Sequence, residues 1–132
     1  KWLSLHEFGE AVIMVQKEFF EKLTASPGNT DYSVVSVFSQ YCFDIDPLFD
    51  VDKNSFLPPP KIECKVIRLK RRRNKMNKEI IAGLEFLFSY RNKNAASLLN
   101  TKLYQNKKID QLNVETLVKI CNELIESKKF KK

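Results

Sequence analysis

Apolar positions in the first half of the chain predict short strands. Residues 11–15 (AVIMV) form an uninterrupted apolar run, and its length and β-branched residues indicate a strand buried on both faces, as in a parallel sheet. Residues 42–51 alternate apolar and acidic positions around Pro47, which predicts two short strand pieces with a bend between them. Residues 62–70 are the next strand candidate. We therefore expect a sheet in this half of the chain.

Helical spacing of apolar residues predicts the other elements. Residues 1–9 are expected to end a helix at Gly9, and residues 17–25 carry an apolar stripe of helical period. Residues 32–41 are ambiguous because their valines favour a strand, but the spacing of their apolar residues favours a helix. Asn77 and Asn113 are predicted N-caps of two later helices, with a shorter helix between them. The residues predicted to face inward in these three helices are Ile80, Ile81, Leu84, Leu87 and Phe88, then Ala95, Leu98, Leu99 and Leu103, then Leu117, Ile120, Cys121, Leu124 and Ile125.

The change of pattern near residue 74 predicts two units, an α/β unit over residues 1–74 and an all-helical unit over residues 75–132. No run of about 18 apolar residues is present, so no membrane-spanning helix is expected. The N-terminal residues lack the apolar core of a signal peptide. The three cysteines are widely spaced, which favours reduced thiols in a cytoplasmic protein over disulfides or a zinc site.

The net charge of +7 is distributed unevenly along the chain. Residues 1–60 hold four lysines and nine acids, a balance of −5, whereas residues 61–132 hold nineteen Lys or Arg and seven acids, a balance of +12. A half this basic indicates a polyanionic partner, with nucleic acid favoured over membrane because no basic amphipathic helix is evident. The alternative is a basic surface that serves only solubility.

Several kinds of catalytic or metal chemistry find no support in the sequence. The lone histidine, His6, has no adjacent nucleophile, and glycines at 9, 28 and 83 cannot build a phosphate-binding loop. Four aspartates, Asp44, Asp46, Asp50 and Asp52, raise the alternative of a metal cluster. Their spacing of two residues instead favours the solvent side of a strand, so no metal site is expected.

Residues 54–61 (NSFLPPPK) combine an aromatic residue with three prolines and a lysine. Because proline fixes φ, this loop loses little entropy on binding, and Phe56 is placed to stack on an unpaired base. Two alternatives stay open at this point: Phe56 fills a core, or LPPPK is a polyproline ligand for a partner protein.

Residues 61–78 contain nine Lys or Arg and one acid, which indicates a surface that binds phosphates. The dominance of arginine favours RNA, since guanidinium planes also stack on bases, although a merely solvated linker is the alternative. A second basic stretch, residues 90–94 (YRNKN), lies between predicted helices. The candidate RNA-backbone contacts chosen from charge are Lys61, Arg68, Arg71, Arg72, Arg73, Arg91 and Lys93.

Three blocks, in order, carry a family resemblance. They are residues 14–18 (MVQKE) with 23–28 (LTASPG) and 31–33 (DYS), then residues 55–62 (SFLPPPKI) with 66–69 (VIRL), then residues 88–93 (FSYRNK). Together they resemble the C-terminal half of rRNA adenine dimethyltransferases of the KsgA type, which are related to the macrolide-resistance rRNA methyltransferases. One departure is Val34-Val35, where the family usually has Arg-Leu.

The resemblance implies the last strands of a Rossmann-like methyltransferase sheet followed by a small helical RNA-binding domain. It implies methyl transfer from S-adenosylmethionine to two adjacent adenines of small-subunit rRNA, with the target base flipped out and stacked on Phe56. The family's glycine-rich cofactor loop and Asn-Leu-Pro-Tyr motif lie upstream. The cofactor site is therefore expected outside this chain, which alone should not methylate, and the intact enzyme is expected to be a monomer.

Two rival functions stay open beside this one. The first is a non-catalytic RNA-binding protein or transcription factor on the same fold, which would lack the upstream cofactor loop and catalytic motif. The second is a helical adaptor recruited through LPPPK, which would bind a polyproline-recognising domain and not RNA.

Overall fold

Within residues 9–51, 63–104 and 106–127, which the computed structural model describes, the chain forms three strands, five α-helices and one 3-10 helix. In chain order they are β1 (Glu10–Gln16), α1 (Lys17–Leu23), α2 (Val34–Cys42), β2 (Phe43–Val51), β3 (Cys64–Arg71), α3 (Lys78–Ser89), α4 (Ala95–Leu99), the 3-10 helix (Ile109–Gln111) and α5 (Val114–Ser127). The predicted mixture of α/β followed by helices is present. The helix predicted before Gly9 lies outside the described residues.

The sheet has the order β1-β3-β2, and β3 runs antiparallel to both neighbours. Ile13 lies opposite Ile67, and Ile45 lies opposite Leu69. The prediction that residues 11–15 are buried on both faces, as in a parallel sheet, is wrong for this structure. Val12 is 59% exposed, because α1 and α2 cover one face only and alternate residues of β1 point away from them.

Strand β2 contains a bulge where the sequence predicts a bend. Pro47 lies opposite Ile67 and Phe49 opposite Val66, so Leu48 is an extra residue in the ladder. An extra residue reverses which face later side chains point to, because the side-chain period of a strand is two. Phe49 is therefore turned away from α1 and α2 and is 60% exposed.

Helix α2 is the element that sequence patterns left ambiguous, and the preference for helix is confirmed. Its buried serines form hydrogen bonds with backbone groups: Ser39 Oγ donates to the carbonyl of Leu23 in α1 at 2.9 Å, and Ser36 Oγ accepts from the Ser33 backbone N–H at 3.1 Å. The valines are accommodated because Val37 is fully buried in the core while Val35 faces solvent. Tertiary burial thus overrides their strand preference.

The helical part is bounded by side-chain caps at the asparagines that the sequence indicates. Asn77 Oδ1 accepts from the Ile80 N–H at 2.9 Å, and Asn113 Oδ1 accepts from the Thr116 N–H at 2.8 Å. Helix α4 is shorter than predicted: Asn100 takes a left-handed conformation with φ of 53° and ends it. Leu103, predicted to face inward, is instead 62% exposed.

Two apolar clusters form the interior. The cluster under the sheet contains Leu23, Cys42, Phe43, Ile67 and Leu69. The larger cluster holds α3 against α5 and also includes three residues that precede residue 74, namely Ala25, Tyr32 and Val37. Tyr41 and Met76 pack against both clusters and so connect the sheet-bearing part to the helical part. This junction determines where the basic segments lie relative to one another.

Candidate nucleic-acid interface

Six of the predicted site residues lie within the described part of the chain, and they occupy three places. Arg68 is on the sheet, Arg71 to Arg73 lead out of β3, and Arg91 and Lys93 are on the loop after α3. Phe56 and Lys61 lie outside the described residues, so their predicted roles stay predictions. The structure does not bring the six into one cluster.

The outer face of the sheet, meaning the face turned away from α1 and α2, is organised in rows. The rows across β1, β3 and β2 are Glu10/Lys70/Asp44, Val12/Arg68/Asp46, Met14/Val66/Phe49 and Gln16/Cys64/Val51. The first two rows are charged and the last two are largely apolar. Opposite charges on directly opposed side chains of neighbouring strands stabilise a sheet, and both charged rows contain such pairs.

Arg68 is held by acids on both neighbouring strands. Its Nε lies 3.5 Å from a Glu10 oxygen, and its Nη2 donates to Asp46 at 3.3 Å. Lys70 sits between Glu10 and Asp44 in the next row. This end of the outer face therefore carries cations whose charge is offset, which makes it a poor surface for attracting phosphates.

Asp44 and Asp46 lie on the outer face of the sheet, as their spacing predicts, but the bulge at Leu48 places Asp50 on the opposite face. Asp52 lies outside the described residues. Asp44, Asp46 and Asp50 have exposed side chains, and Asp50 receives a 2.8 Å contact from Lys65. The hydrogen bond and charge of Lys65 lower the pKa of Asp50. No group of three metal-ligating side chains occurs among the described residues.

The segment that follows β3 contains cations that have partners within the protein and cations that are exposed without an ion pair to a described residue. Arg71 lies over the Phe43 ring at 5.3 Å, and Arg72 donates from Nη1 to the Gln40 carbonyl at 2.9 Å. Three cations of this segment are exposed, and none of them forms an ion pair with a described residue: Arg73, Lys75 and Lys78. The exposed cations of residues 73–78 are hereafter called the linker cations: Arg73, Lys75 and Lys78. They are the better candidates for phosphate contacts.

Arg91 points into the protein. Its Nε and Nη2 both lie 3.4 Å from Asp110 Oδ2, and Nη2 also lies 3.4 Å from the carbonyls of Asn29 and Thr30. The guanidinium sits 5.9 Å from the centre of the Phe88 ring. Arg91 thus ties the loop before α2 to the helical part, so its charge is largely used inside the molecule. Lys93 by contrast is exposed.

Tyr32 also connects the loop before α2 to the helical part. The Tyr32 hydroxyl donates to the Leu112 carbonyl at 2.9 Å, and its ring meets Phe88 edge-on with centroids 5.7 Å apart. Tyr32 is fully buried, and burial raises the pKa of its phenol. Backbone bonding adds to this, since the Gly28 N–H donates to the Asp110 carbonyl at 2.7 Å while Gly28 adopts a φ of 89°.

A cleft of about 760 Å³ is lined by residues of α2, of α5 and of the segment after β3. Its lining residues are Gln40, Tyr41, Arg72, Asn74, Val114, Glu115, Val118, Lys119, Asn122, Glu123 and Glu126. Three glutamates against two cations disfavour a phosphate chain inside it. The cleft therefore borders the linker cations without extending their charge.

Burial makes two of the three cysteines, Cys42 and Cys121, weak nucleophiles. Cys121 is fully buried, which raises its pKa to about 12, and Cys42 is shifted in the same direction by burial. Rossmann-like folds bind cofactors at the carboxyl ends of parallel strands beside a glycine-rich turn. The strand pairings among the described residues are all antiparallel, so these residues do not include an edge of parallel strands of that kind. Among the described residues, no helix has the length and hydropathy needed to cross a membrane.

Comparison with known proteins connects this geometry to one family. A family model described as ribosomal RNA adenine dimethylase matches residues 1–128. Proteins named ribosomal RNA small subunit methyltransferase A are 38% identical over 100 residues in Mycoplasmopsis pulmonis and 34% identical over 128 residues in Cytophaga hutchinsonii. These matches cover 74% and 87% of this chain but 38% and 50% of the relatives. The chain thus spans about half the length of the curated relatives it matches.

Solved structures agree on the fold. A dimethyladenosine transferase from Plasmodium falciparum superposes with a TM-score of 0.76 at 20% identity, over 90% of this chain and 59% of that one. The 23S rRNA methyltransferase ErmE superposes with a TM-score of 0.57 at 22% identity, over 89% and 55%. The mixed α/β arrangement with a small sheet is therefore shared with these methyltransferases.

Proposed function

The chain belongs to the ribosomal RNA adenine dimethylase family, and on that premise we propose that it is the C-terminal part of an rRNA adenine dimethyltransferase. The intact enzyme would transfer methyl groups from S-adenosylmethionine to adjacent adenines of small-subunit rRNA in the cytoplasm. The observation that carries this proposal is the family match over residues 1–128 in a chain half as long as its relatives. The S-adenosylmethionine site would lie in the part that this chain does not span.

The sheet supports its assignment as the last part of a larger one. Among the described residues, strand β1 pairs on one side only, so a row of backbone groups is left for a further strand. The row that crosses the outer face from Met14 on β1 to Phe49 on β2 is open to solvent at both ends, since Met14 is 54% exposed and Phe49 is 60% exposed. Large apolar side chains in a contiguous row favour burial against another layer. We infer that the remainder of the methyltransferase domain adds to β1 and covers this face.

The proposal keeps the predicted domains, with residues 1–74 in the catalytic domain and residues 75–132 forming a helical RNA-binding domain. Phe56 would stack on the flipped adenine, as the family resemblance implies. The RNA backbone would be held by the linker cations, by Lys61 and by Lys93. Arg68, Arg71, Arg72 and Arg91 would contribute less to binding, since internal partners already engage each of them.

The test uses the full-length polypeptide that carries this sequence and small ribosomal subunits that lack the modification. Transfer of labelled methyl groups and subunit binding are measured for the wild type, for Phe56→Ala and for Phe19→Ala, an exposed aromatic on α1 that serves as control. We expect Phe56→Ala to lower methyl transfer at least tenfold more than binding, because stacking on the flipped base matters most at the chemical step. Binding without any methyl transfer by the wild type would favour a non-catalytic relative. Equal losses in both assays would contradict the stacking role.

A further inference from the structure

The loop that follows α3 presents an aromatic ring and a cation on its outer side. We propose that Tyr90 and Lys93 form a site for one unpaired RNA nucleotide, with the Tyr90 ring stacked on the base and Lys93 contacting an adjoining phosphate. This site is separate from the flipped adenine at Phe56. It rests on the proposed function, which supplies the RNA, and adds a second point where that RNA is held.

Tyr90 is a pre-positioned platform. Its side chain is 41% exposed, and Phe86, one helical turn earlier, is 38% exposed. The two rings meet edge-on, with centroids 5.5 Å apart and planes at 64°. Such a pair restricts the Tyr90 ring while leaving much of it open to solvent. A restrained aromatic face is what base stacking requires.

The backbone of the loop is held as firmly as the ring. The Lys93 N–H donates to the Tyr90 carbonyl at 2.9 Å, and the Ile109 N–H donates to the Lys93 carbonyl at 3.1 Å. Behind the loop, Arg91 is anchored to Asp110. Little backbone freedom is therefore left to lose when a ligand binds.

The outward surface has the charge and the size for a nucleotide. Ser89, Tyr90, Arg91, Asn92 and Lys93 line a depression of about 350 Å³. This volume lies at the lower end of the range for small-molecule sites, about 300–1,000 Å³. No acid is among the five lining residues. Because Arg91 is directed towards Asp110, Lys93 is the cation that remains for a phosphate.

Aromatic exposure next to a cation favours single-stranded RNA over duplex RNA. A duplex hides its base faces, whereas loops and bulges offer them for stacking on tyrosine. Base stacking and phosphate contact also respond differently to salt, since only the second releases counterions. These two differences make the proposed roles of Tyr90 and Lys93 separable.

The experiment measures dissociation constants of the full-length polypeptide by fluorescence anisotropy. The probes are a labelled stem–loop RNA with an unpaired loop and a fully paired duplex of the same length. We expect Tyr90→Ala to weaken stem–loop binding about tenfold, with duplex affinity and the salt dependence unchanged. Tyr90→Trp should retain stem–loop affinity, and Tyr90→Leu should not. Lys93→Gln should weaken binding to both probes and reduce the salt dependence by about one phosphate contact.

Phe19→Ala is the matched control, since Phe19 is 44% exposed on a different surface, and it should change neither affinity. Thermal unfolding identifies any variant that has lost its fold, and the Tyr90→Trp and Tyr90→Leu pair then decides. Stem–loop affinity within twofold of wild type for Tyr90→Ala, or equal losses on both probes, would overturn this inference alone. A wild-type protein that binds neither probe would overturn the proposed function and this inference with it.

Discussion

Replacing Arg91 with alanine should lower the free energy of unfolding by about 2 kcal/mol, whereas Arg68→Ala should lower it by about 0.5 kcal/mol. Both arginines form ion pairs, so the contrast comes from burial. The side chains of Arg91 and Asp110 are 30% and 14% exposed. Those of Arg68, Glu10 and Asp46 are 43%, 53% and 54% exposed.

The magnitude for Arg91 follows from the geometry. Two charges 3.4 Å apart attract by about 5 kcal/mol at an effective dielectric constant of about 20. Desolvation of partly buried groups offsets much of that attraction, so the net loss falls between the roughly 0.2–1 kcal/mol of exposed pairs and the roughly 3–5 kcal/mol of broken buried pairs. The Asn29 and Thr30 carbonyls lose their donor as well, which places the expected value near 2 kcal/mol.

The assay is urea unfolding at neutral pH in low salt and in about 1 M salt, where the Debye length falls to about 3 Å. A loss of 2 kcal/mol shifts the urea midpoint by roughly 1 M. The Arg68→Ala difference should vanish in high salt, while most of the Arg91→Ala difference should persist because the pair is shielded from solvent. A double-mutant cycle with Asp110→Asn, which preserves shape, should give a coupling of about 1–2 kcal/mol.

Equal effects of Arg91→Ala and Arg68→Ala would refute this assignment, as would a coupling energy below about 0.3 kcal/mol. Either result would mean that Arg91 is free to face solvent. Arg91 would then again be a candidate for RNA contact. The contact between the loop before α2 and the helical part would depend on apolar packing alone.

Three further predictions address the interior, a helix end and the open sheet. Tyr32→Phe should lower the free energy of unfolding by about 1–2 kcal/mol. Burial raises the pKa of Tyr32, so its stabilisation is complete below about pH 10 and declines above it. The melting temperature above about pH 10 should therefore fall more steeply with pH for the wild type than for the variant. Asn77→Ala should lose about 1 kcal/mol of stability through the lost N-cap, whereas Asn122→Ala, within α5, should lose none in the same urea titration. Met14→Asp should destabilise the full-length polypeptide by about 2 kcal/mol, because Met14 would be buried there. In this chain, where Met14 is exposed, the loss should be less than about 0.5 kcal/mol. Equal losses in the two proteins would contradict the inference that another layer covers the outer face.

Helix ends and helix faces could be predicted because their signals are local. The caps at Asn77 and Asn113, and the inward faces of α3 and α5, depend on residues three or four positions apart. The bend at Pro47 was equally visible, although its effect on Phe49 was not. The direction of that side chain depends on counting residues against a partner strand, which the sequence of one strand does not contain.

The sites of charge illustrate the limit of sequence reasoning most clearly. The basic content of residues 61–132 indicates a polyanionic partner without reference to any fold. It does not reveal which cations are available, because Asp46 lies 22 residues from Arg68, and Asp110 lies 19 residues from Arg91. Only the pairing of β2 with β3 and the packing of the 3-10 helix against the loop after α3 bring these charges together.

The general class of the chain could be predicted from the order of its residues: an α/β part, a helical part, a basic second half and blocks that resemble one methyltransferase family. Those features are carried by composition, by short-range periodicity and by motifs, all of which are read along the chain. The three-dimensional arrangement was needed to show which arginines are held by acids, which face of the sheet the described residues leave uncovered, and that Tyr90 and Lys93 face outward together. These depend on contacts between residues distant in sequence, and folding fixes such contacts only through register and packing.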